Sequence, residues 1–201
     1  RPAGQSDWEQ LKRAASEGRL NAATADYEVL VPRRAAVELS TVAGEALVAG
    51  IEGGLIVNAV SSSMLLERIT GGCRVTATSG NVTISGAAGG LAVQTVGGNV
   101  DARGLLGACI VDTVGGKINL ILDPGNLQSA RITTVVGPVD LQLPERPGAA
   151  FNLETTGGTI GGDYPLPPGS PHRRLSPART PGPTITVRTS SGTITVRRLP
   201  R

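Results

Sequence analysis

Apolar and polar residues alternate along the middle of the chain, in short segments that glycine separates. In one such segment, Val75 and Ala77 alternate with Arg74 and Thr76. A period of two places every second side chain on one face, so the pattern predicts half-buried β-strands. The same alternation returns after a fixed interval, and this indicates copies of one structural unit.

The repeat is clearest from an anchor glycine that follows a threonine or alanine three positions earlier. Ser62 takes the anchor position in the second copy, and the other anchors are Gly44, Gly80, Gly98, Gly116, Gly137, Gly158 and Gly192. The step between anchors is constant as far as Gly116, is slightly longer to Gly137 and to Gly158, and is longest from Gly158 to Gly192. The position five before the anchor is always aliphatic: Leu39, Val57, Val75, Val93, Val111, Ile132, Leu153 and Val187.

A unit of about 18 residues with two short strands and two corners cannot bury its own apolar face. Parallel stacking of such units joins like residues into a continuous core, in which each buried Val, Leu or Ile contributes about 1.5–3 kcal/mol. The predicted fold is therefore all-β, a single-stranded parallel β-helix, or β-solenoid. An antiparallel sandwich accounts for the alternation but not for matching residues at a fixed offset. The anchor glycines are the predicted corners, where positive φ or close backbone approach excludes a side chain.

The two ends of the chain depart from the repeat. Residues 1–26 form an N-terminal segment with a capping box at Ser6, which predicts a helix over about residues 7–17. Its apolar face carries Trp8 and Leu11, and we expect it to cover the first rung or to bind a partner. The solenoid rungs are assigned to residues 27–160, with a lead-in strand over Tyr27–Pro32.

A Pro-, Gly- and Arg-rich insertion loop follows at 161–183, and residues 184–201 form the final rung and a basic tail. The final rung, Ile185–Arg198, precedes only Leu199, Pro200 and Arg201, so it is expected to form the open end of the stack. An open strand edge templates another chain unless something covers it. The insertion loop, the tail or the next subunit could cover this edge.

The amino-acid composition limits the kinds of partner and the cellular locations to expect for this chain. The net charge is only +3 and aromatic residues make up 2% of the chain, so stacking platforms for nucleic acid are missing. No apolar run approaches the roughly 20 residues of a membrane-spanning helix. The chain begins at Arg1 rather than at methionine, from which we expect an exported protein with a processed N-terminus.

The sequence also resembles a known bacterial family. The segments that carry the resemblance are Tyr-Glu-Val-Leu-Val-Pro-Arg at 27–33, the repeated Thr-x-x-Gly-x-Val/Ile corners, and the strand pair at 185–197. They are similar to the bacterial adhesin-type β-strand-repeat domain family. The resemblance spans about residues 27–198 and implies a right-handed single-stranded β-helix that is exported or tethered to a membrane. It supplies no binding residues.

The residues that catalysis or metal binding would require are scattered. The chain lacks the Gly-Gly-x-Gly-x-Asp turns of calcium-binding β-rolls, so neither a metal nor a cofactor is expected. Asp112 and Lys117 are interpreted as a surface ion pair rather than as a catalytic pair. Cys73 and Cys109 share a repeat column two rungs apart, about 10 Å, which is too far for a disulfide. Both are predicted to be buried, reduced thiols.

These observations favour a non-enzymatic structural or interaction protein of the bacterial cell surface, extracellular or periplasmic. It would assemble head-to-tail into a filament or bind a cell-surface partner. One alternative is a monomeric envelope-associated binding module, and another is a carbohydrate-active β-helix enzyme. The candidate interface residues are Trp8, Leu11, Leu47, Leu65, Ile56, Arg197 and Arg198.

Overall fold

The computed structural model describes residues 27–145, 148–164, 172–175 and 182–199, with the backbone alone for 172–175. The chain divides into two units, Arg1–Val31 and Pro32–Arg201. The predicted N-terminal helix lies outside the described residues. In the first unit, the described residues 27–31 have neither helix nor strand.

The second unit is built from strands alone within the described residues, and its β-solenoid architecture is confirmed. The predicted lead-in strand over Tyr27–Pro32 is wrong, because the first strand begins at Val37. The described residues contain fifteen strands: β1 (Val37–Ala49), β2 (Leu55–Ile69), β3 (Cys73–Ser79), β4 (Val82–Ala87), β5 (Leu91–Thr95), β6 (Val100–Leu105), β7 (Gly107–Thr113), β8 (Ile118–Ile121), β9 (Leu127–Val136), β10 (Val139–Leu143), β11 (Ala150–Thr155), β12 (Ile160–Gly162), β13 (His172–Leu175), β14 (Thr184–Ser191) and β15 (Ile194–Arg198).

The strands stack in parallel in two columns. The first face comprises the N-terminal halves of β1 and β2, followed by β3, β5, β7, β9, β14 and β11. The second face comprises the C-terminal halves of β1 and β2, followed by β4, β6, β8, β10, β15 and β12. The register follows the repeat, because Val57 pairs with Val75 and Val75 with Val93, each one repeat further along the chain.

The core lies between the two faces and along a third wall. The aliphatic column five positions before the anchors is fully buried from Val57 onward, with no residual exposure of its side chains. The third wall contributes the buried residues Ile51, Ile69, Ala87 and Leu105, each directly after a residue with positive φ. Three of those preceding residues are glycines and the fourth is Arg68, with φ 53°. This second column of left-handed residues was not recognised in the sequence.

The last two rungs do not follow chain order. Strand β14 lies between β9 and β11, and β15 lies between β10 and β12. The C-terminal rung, β14–β15, is therefore internal, and the outer rung is β11–β12. The expectation that Ile185–Arg198 forms the open end is wrong. The insertion loop is also more regular than expected, because it contains β13, which pairs antiparallel with the outer side of β11.

The corners combine glycine with a buried threonine. Gly80, Gly98 and Gly116 have φ between 106° and 112°, and an added Cβ on each would overlap the carbonyl oxygen of the corner residue in the previous rung. Gly44 and Gly137 also have positive φ, whereas Gly158 and Gly192 do not. At the last two, a Cβ would still overlap a backbone carbonyl oxygen. Close stacking of corner backbones therefore explains why a side chain is excluded from the anchor glycines other than Gly44, where an added Cβ would meet nothing within 4 Å.

Four corner threonines donate to the carbonyl oxygen two residues further along the turn: Thr41, Thr95, Thr113 and Thr134. Thr113 Oγ1 donates to the carbonyl oxygen of Gly115 at 2.7 Å, and Thr95 Oγ1 donates to that of Gly97 at 3.0 Å. Thr189 occupies the same column, yet its buried hydroxyl has no hydrogen-bond partner. The column therefore contains threonine hydroxyls that make a hydrogen bond and one threonine hydroxyl that makes none.

We expect Thr113→Val to lower the free energy of unfolding by about 0.5–1.5 kcal/mol, because it removes one hydrogen bond at nearly constant volume. Thr189→Val is the matched control and should be neutral or stabilising, since it removes a buried hydroxyl that bonds to nothing. Urea denaturation of both variants measures the difference. Equal losses in the two variants would contradict the assignment of the corner hydrogen bond.

The two cysteines are free and buried, as the register predicts. Leu91 lies between them in the ladder, paired with Cys73 on one side and Cys109 on the other. Burial disfavours the thiolate and raises the pKa of Cys73 to about 11 and that of Cys109 to about 12. Since the thiolate is the reactive species, both should resist alkylation while the protein is folded.

We expect stability to fall as the pH rises from about 9 towards 11, because unfolded thiols ionise there while folded thiols stay protonated. The measurement is the denaturant midpoint against pH, in parallel for wild type and a Cys73→Ala/Cys109→Ala variant. The variant should lose that part of the slope. Identical pH profiles would show that the thiols are not desolvated in the folded state.

Candidate interaction surfaces

A groove of about 570 Å³ runs across the start of the first face. It crosses five successive strands, so it extends roughly 19 Å along the stack. One side is a column of small residues that precede the strands or open them, and the other is the first outward side chain of each strand. The lining includes Ala36, Gly54, Gly72, Gly90 and Ala108 on the first side, and Glu38, Ile56, Arg74 and Ala92 on the second.

The groove exists because side chains are absent from one column. A Cβ added at Gly54 would meet nothing within 4 Å, and at Gly72 and Gly90 the nearest atoms would lie 3.7 Å and 3.6 Å away. These glycines are therefore not required for close packing, unlike the corner glycines. Ile56 is 43% exposed at the rim, with Glu38 and Arg74 on the rungs to either side.

A ridge of exposed valines lies just before the anchor corner, at the opposite edge of the first face from the groove. Two positions before the anchors from Gly44 to Gly137 stand Val42, Val60, Val96, Val114 and Val135, all between 45% and 73% exposed, with Thr78 in the one gap of this part of the column. Isolated exposed apolar residues are ordinary, but a continuous column is not. The valine ridge is visible in the aligned repeat but is not among the interface residues predicted from the sequence.

The second face carries ladders of outward side chains that hydrogen-bond to one another between rungs. Asn99 Nδ2 donates to Asn81 Oδ1 at 3.2 Å, and Asn119 Nδ2 donates to Asp101 Oδ1 at 3.0 Å. Gln142 Nε2 in turn donates to Asn119 Oδ1 at 3.3 Å. These ladders stabilise the stack and occupy the polar groups that a partner would otherwise engage. On the first face, Arg188 and Glu154 pair at 3.2 Å in the last rungs, beyond the groove. The first face is therefore the better candidate for recognition.

The predicted interface residues do not form one surface. Leu47 pairs with Leu65 on the second face, where Leu47 is 69% exposed and Leu65 is half-buried. Ile56 belongs to the first face. Trp8 and Leu11 lie outside the described residues, so their placement stays a prediction.

Arg197 and Arg198 lie in β15, five strands from β2 along the second face and thus about 24 Å away. Both make contacts within the chain. Arg197 lies 3.6 Å from the carboxylate of Asp140, and the guanidinium of Arg198 lies over the Tyr164 ring at 5.6 Å from its centroid. Asp140 is nearly buried, and its second carboxylate oxygen has no hydrogen-bond partner.

Asp112 and Lys117 are not paired. Asp112 belongs to β7 on the first face, whereas Lys117 precedes β8 beyond the corner, and no ion pair joins them. The interpretation of these two residues as an ion pair is therefore wrong. Within residues 27–145, 148–164 and 182–199, no three His, Cys, Asp or Glu side chains are grouped so as to hold a metal ion.

In the same described part of the chain, no helix is long and apolar enough to cross a membrane. Comparison with protein-family models, characterised proteins and solved structures finds no match for this chain. The resemblance to the adhesin-type repeat family therefore stays a prediction.

Proposed function

We propose that this chain is a non-enzymatic interaction protein of the bacterial cell surface, an adhesin-like β-solenoid whose first face binds a partner. The observation that carries the proposal is the groove across five strands of that face. Its lining is mainly aliphatic and backbone, which suits the apolar side chains of an extended polypeptide. Sugar rings would favour aromatic platforms, and the groove has none among its lining residues.

The arrangement of the first face supports this proposal. The groove and the valine ridge flank a column of polar outward residues that includes Asn58, Thr76 and Gln94. An extended strand laid along the stack would meet apolar contacts at both edges and hydrogen-bonding side chains between them. This layout resembles an interface with separate apolar and polar zones.

The experiment measures binding of the fluorescently labelled protein to intact cells of the bacterium that makes it, together with surface accessibility of the native protein to added protease. Wild type should bind saturably, and Ile56→Asp should abolish most binding because it places a charge at the apolar rim. Asn58→Asp is the matched control, since it adds the same charge two residues along the same strand. Equal loss in both variants, or a strictly cytosolic native protein, would overturn the proposal.

We also propose that residues 7–17 form a helix that caps the first rung. The support is the state of β1, which pairs only with β2 in the described part of the chain and leaves Val37, Leu39 and Val48 half-buried. The equivalent residues of the next rung are fully buried, so the edge at β1 is incomplete. Deleting residues 1–26 should lower the melting temperature and promote self-association. A deletion variant with the same stability and the same oligomeric state as wild type would exclude the cap.

Head-to-tail assembly into a filament is the second candidate, and β1 is the edge that favours it. The route first expected, through an open C-terminal rung, is closed because that rung is internal. Negative-stain microscopy at high protein concentration tests the filament directly. Filaments that lengthen after residues 1–26 are deleted would support assembly through β1, and their absence from both proteins would contradict it.

A further inference from the structure

The outward side chains of the first face form three columns along the stack. The first column lies six positions before the anchors and contains, from β1 through β2, β3, β5 and β7 to β9, Glu38, Ile56, Arg74, Ala92, Ile110 and Arg131. The middle column lies two residues further along each strand and contains Ser40, Asn58, Thr76, Gln94, Asp112 and Thr133. The third column is the valine ridge, with Thr78 in its gap. All of these side chains are exposed or half-buried, so a second molecule can reach them.

The three columns have nearly the same chemistry in both directions from a point midway between β3 and β5. A twofold axis through this point, parallel to the strands, sets β1 of one copy against β9 of another, β2 against β7, and β3 against β5. Such a contact is isologous, because every matched pair occurs twice. In the third column the matched pairs are Val42 with Val135, Val60 with Val114, and Thr78 with Val96. The valine ridge therefore meets the valine ridge of the other copy.

The first column matches by charge as well as by polarity. Glu38 faces Arg131 at both ends of the contact, and both side chains are exposed. Neither belongs to an ion pair among the residues that the structure describes. Next to them Ile56 faces Ile110, and these two are 43% and 41% exposed. Opposite charges at the rim with apolar contacts inside it are the arrangement of a specific interface.

The other pairs match by size and by hydrogen bonding. Arg74, the longest side chain near the centre of the first column, faces Ala92, the shortest, so the guanidinium has room. In the middle column Asn58 faces Asp112, and a carboxylate accepts hydrogen bonds from an amide. No two like charges meet among the matched residues.

Other alignments of the same two faces lose this complementarity. Moving the axis half a rung towards β1 brings Arg74 against the same residue of the other copy, and moving it a whole rung towards β9 brings Arg74 against Arg131. A parallel alignment sets the valine ridge against the first column, with Val42 opposite Glu38. Like charges that face each other oppose association, and so do charges set against apolar side chains. The pattern of the columns therefore favours one antiparallel register.

The matched area is large enough for a specific contact. Six strands at a spacing of about 4.8 Å cover roughly 29 Å along the stack, and a strand of the length of β3 covers about 20 Å across it. The two copies together would bury about 1,160 Å² in projection, which exceeds the roughly 1,000 Å² of a specific interface. An area near this lower bound predicts a weak and reversible dimer.

We propose that the first face binds a second copy of this chain, in an antiparallel twofold contact centred between β3 and β5. The inference rests on the proposed function, because it identifies the partner of that face. Two sheets packed face to face keep their strands within about 30° of each other at a separation of about 10 Å. A contact whose axis is parallel to the strands has this geometry.

The test mixes two full-length variants that each reverse one charge. Glu38→Arg places a cation opposite Arg131, and Arg131→Glu places a carboxylate opposite Glu38, so each variant alone repels a second copy of itself. Because the pair occurs twice in the dimer, the dimer Kd of each variant should rise about tenfold at low salt. In a mixture of the two variants both contacts again join opposite charges, so heterodimers should form with the affinity of wild type. Sedimentation velocity measures the Kd, and tags of different mass identify the heterodimer by native mass spectrometry.

The mixture separates a contact between copies from an effect within one chain. Glu38 and Arg131 lie five strand spacings apart in one chain, about 24 Å, so mixing restores nothing that the two residues do within it. Ile110→Asp should also make the protein monomeric, and Leu47→Asp is the matched control, because it adds the same charge at an exposed position of the second face. A mixture that dimerises no better than its components, or a wild type that stays monomeric at high concentration, would overturn the inference.

A strain that lacks the gene separates the inference from the proposed function. Labelled wild type should bind to cells of the parent strain and lose most of this binding on the deletion strain, since the partner is the protein itself. Equal binding to both strains would overturn the inference and leave the proposed function standing. A protein that passes the mixing test but is absent from the cell surface would overturn the proposed function alone. Asn58→Asp adds a carboxylate opposite Asp112 and should weaken self-association less than Ile56→Asp, because water reaches the middle column.

Discussion

Replacing Gly98 with valine should unfold the protein at a markedly lower denaturant concentration than wild type. Gly98 has φ 112°, a conformation that a β-branched residue adopts only at a cost of about 1–3 kcal/mol. The new Cβ would also overlap the carbonyl oxygen of Gly80 in the previous rung. That oxygen belongs to backbone in an equally constrained corner, so relief requires the whole corner stack to shift. The expected loss is about 2–6 kcal/mol when overpacking is included.

Urea denaturation followed by circular dichroism measures this loss, and Gly54→Ala is the matched control. Gly54 has ordinary φ and open space around an added Cβ, so alanine there should be neutral or add about 0.4–1 kcal/mol. Ser62→Gly should also be mild, because Ser62 occupies the same corner column without positive φ. A Gly98→Val protein with an unchanged midpoint would show that the corner does not stack as described.

The sequence determined the two-strand rung and its register because both depend on local pattern. Period-two alternation defines which side chains face inward, and the constant repeat offset aligns Val57, Val75 and Val93 in one buried column. Each rung needs the same residues at the same positions to fill the same cross-section. As long as the step between repeats stays constant, the aligned repeat therefore predicts which residues of successive rungs are neighbours.

The order of the last rungs could not be predicted because every rung offers the same chemistry. Ile132 accepts Val187 as its neighbour, and Leu153 would have matched it equally well by size and polarity. Only the long, irregular step from Gly158 to Gly192 indicated a departure from simple stacking. The step did not show on which side of the outer rung the chain would return.

The candidate surfaces were partly predictable for a different reason. Exposed columns are visible in the aligned repeat, so the valine ridge from Val42 to Val135 is predictable from the sequence alone. The groove depends on the empty space beside Gly54, Gly72 and Gly90. Sequence shows that these residues are glycine but does not distinguish a glycine that opens a groove from one that packs against backbone.

The internal position of the C-terminal rung predicts a large effect from truncating Ile194. Its side chain has no residual exposure and lies between Val139 and Ile160 of the rungs on either side. Ile194→Ala removes contacts to both neighbours and leaves a cavity that the flanking rungs cannot close without breaking their ladders. Substitutions of this type in well-packed cores cost about 2–5 kcal/mol.

Leu39→Ala is the matched comparison, since Leu39 is inward-facing in β1, a strand that pairs on one side only within the described residues and leaves it half-buried. With one neighbouring rung, less apolar area returns to water and the remaining side chains relax more freely, so the loss should be clearly smaller than for Ile194→Ala. Chemical denaturation of both variants measures the two losses. If the denaturant dependence of the unfolding free energy has the same slope in both variants, the two free energies can be compared directly. If the C-terminal rung lay at the end of the stack, Ile194 and Leu39 would be equivalent and the two losses would agree.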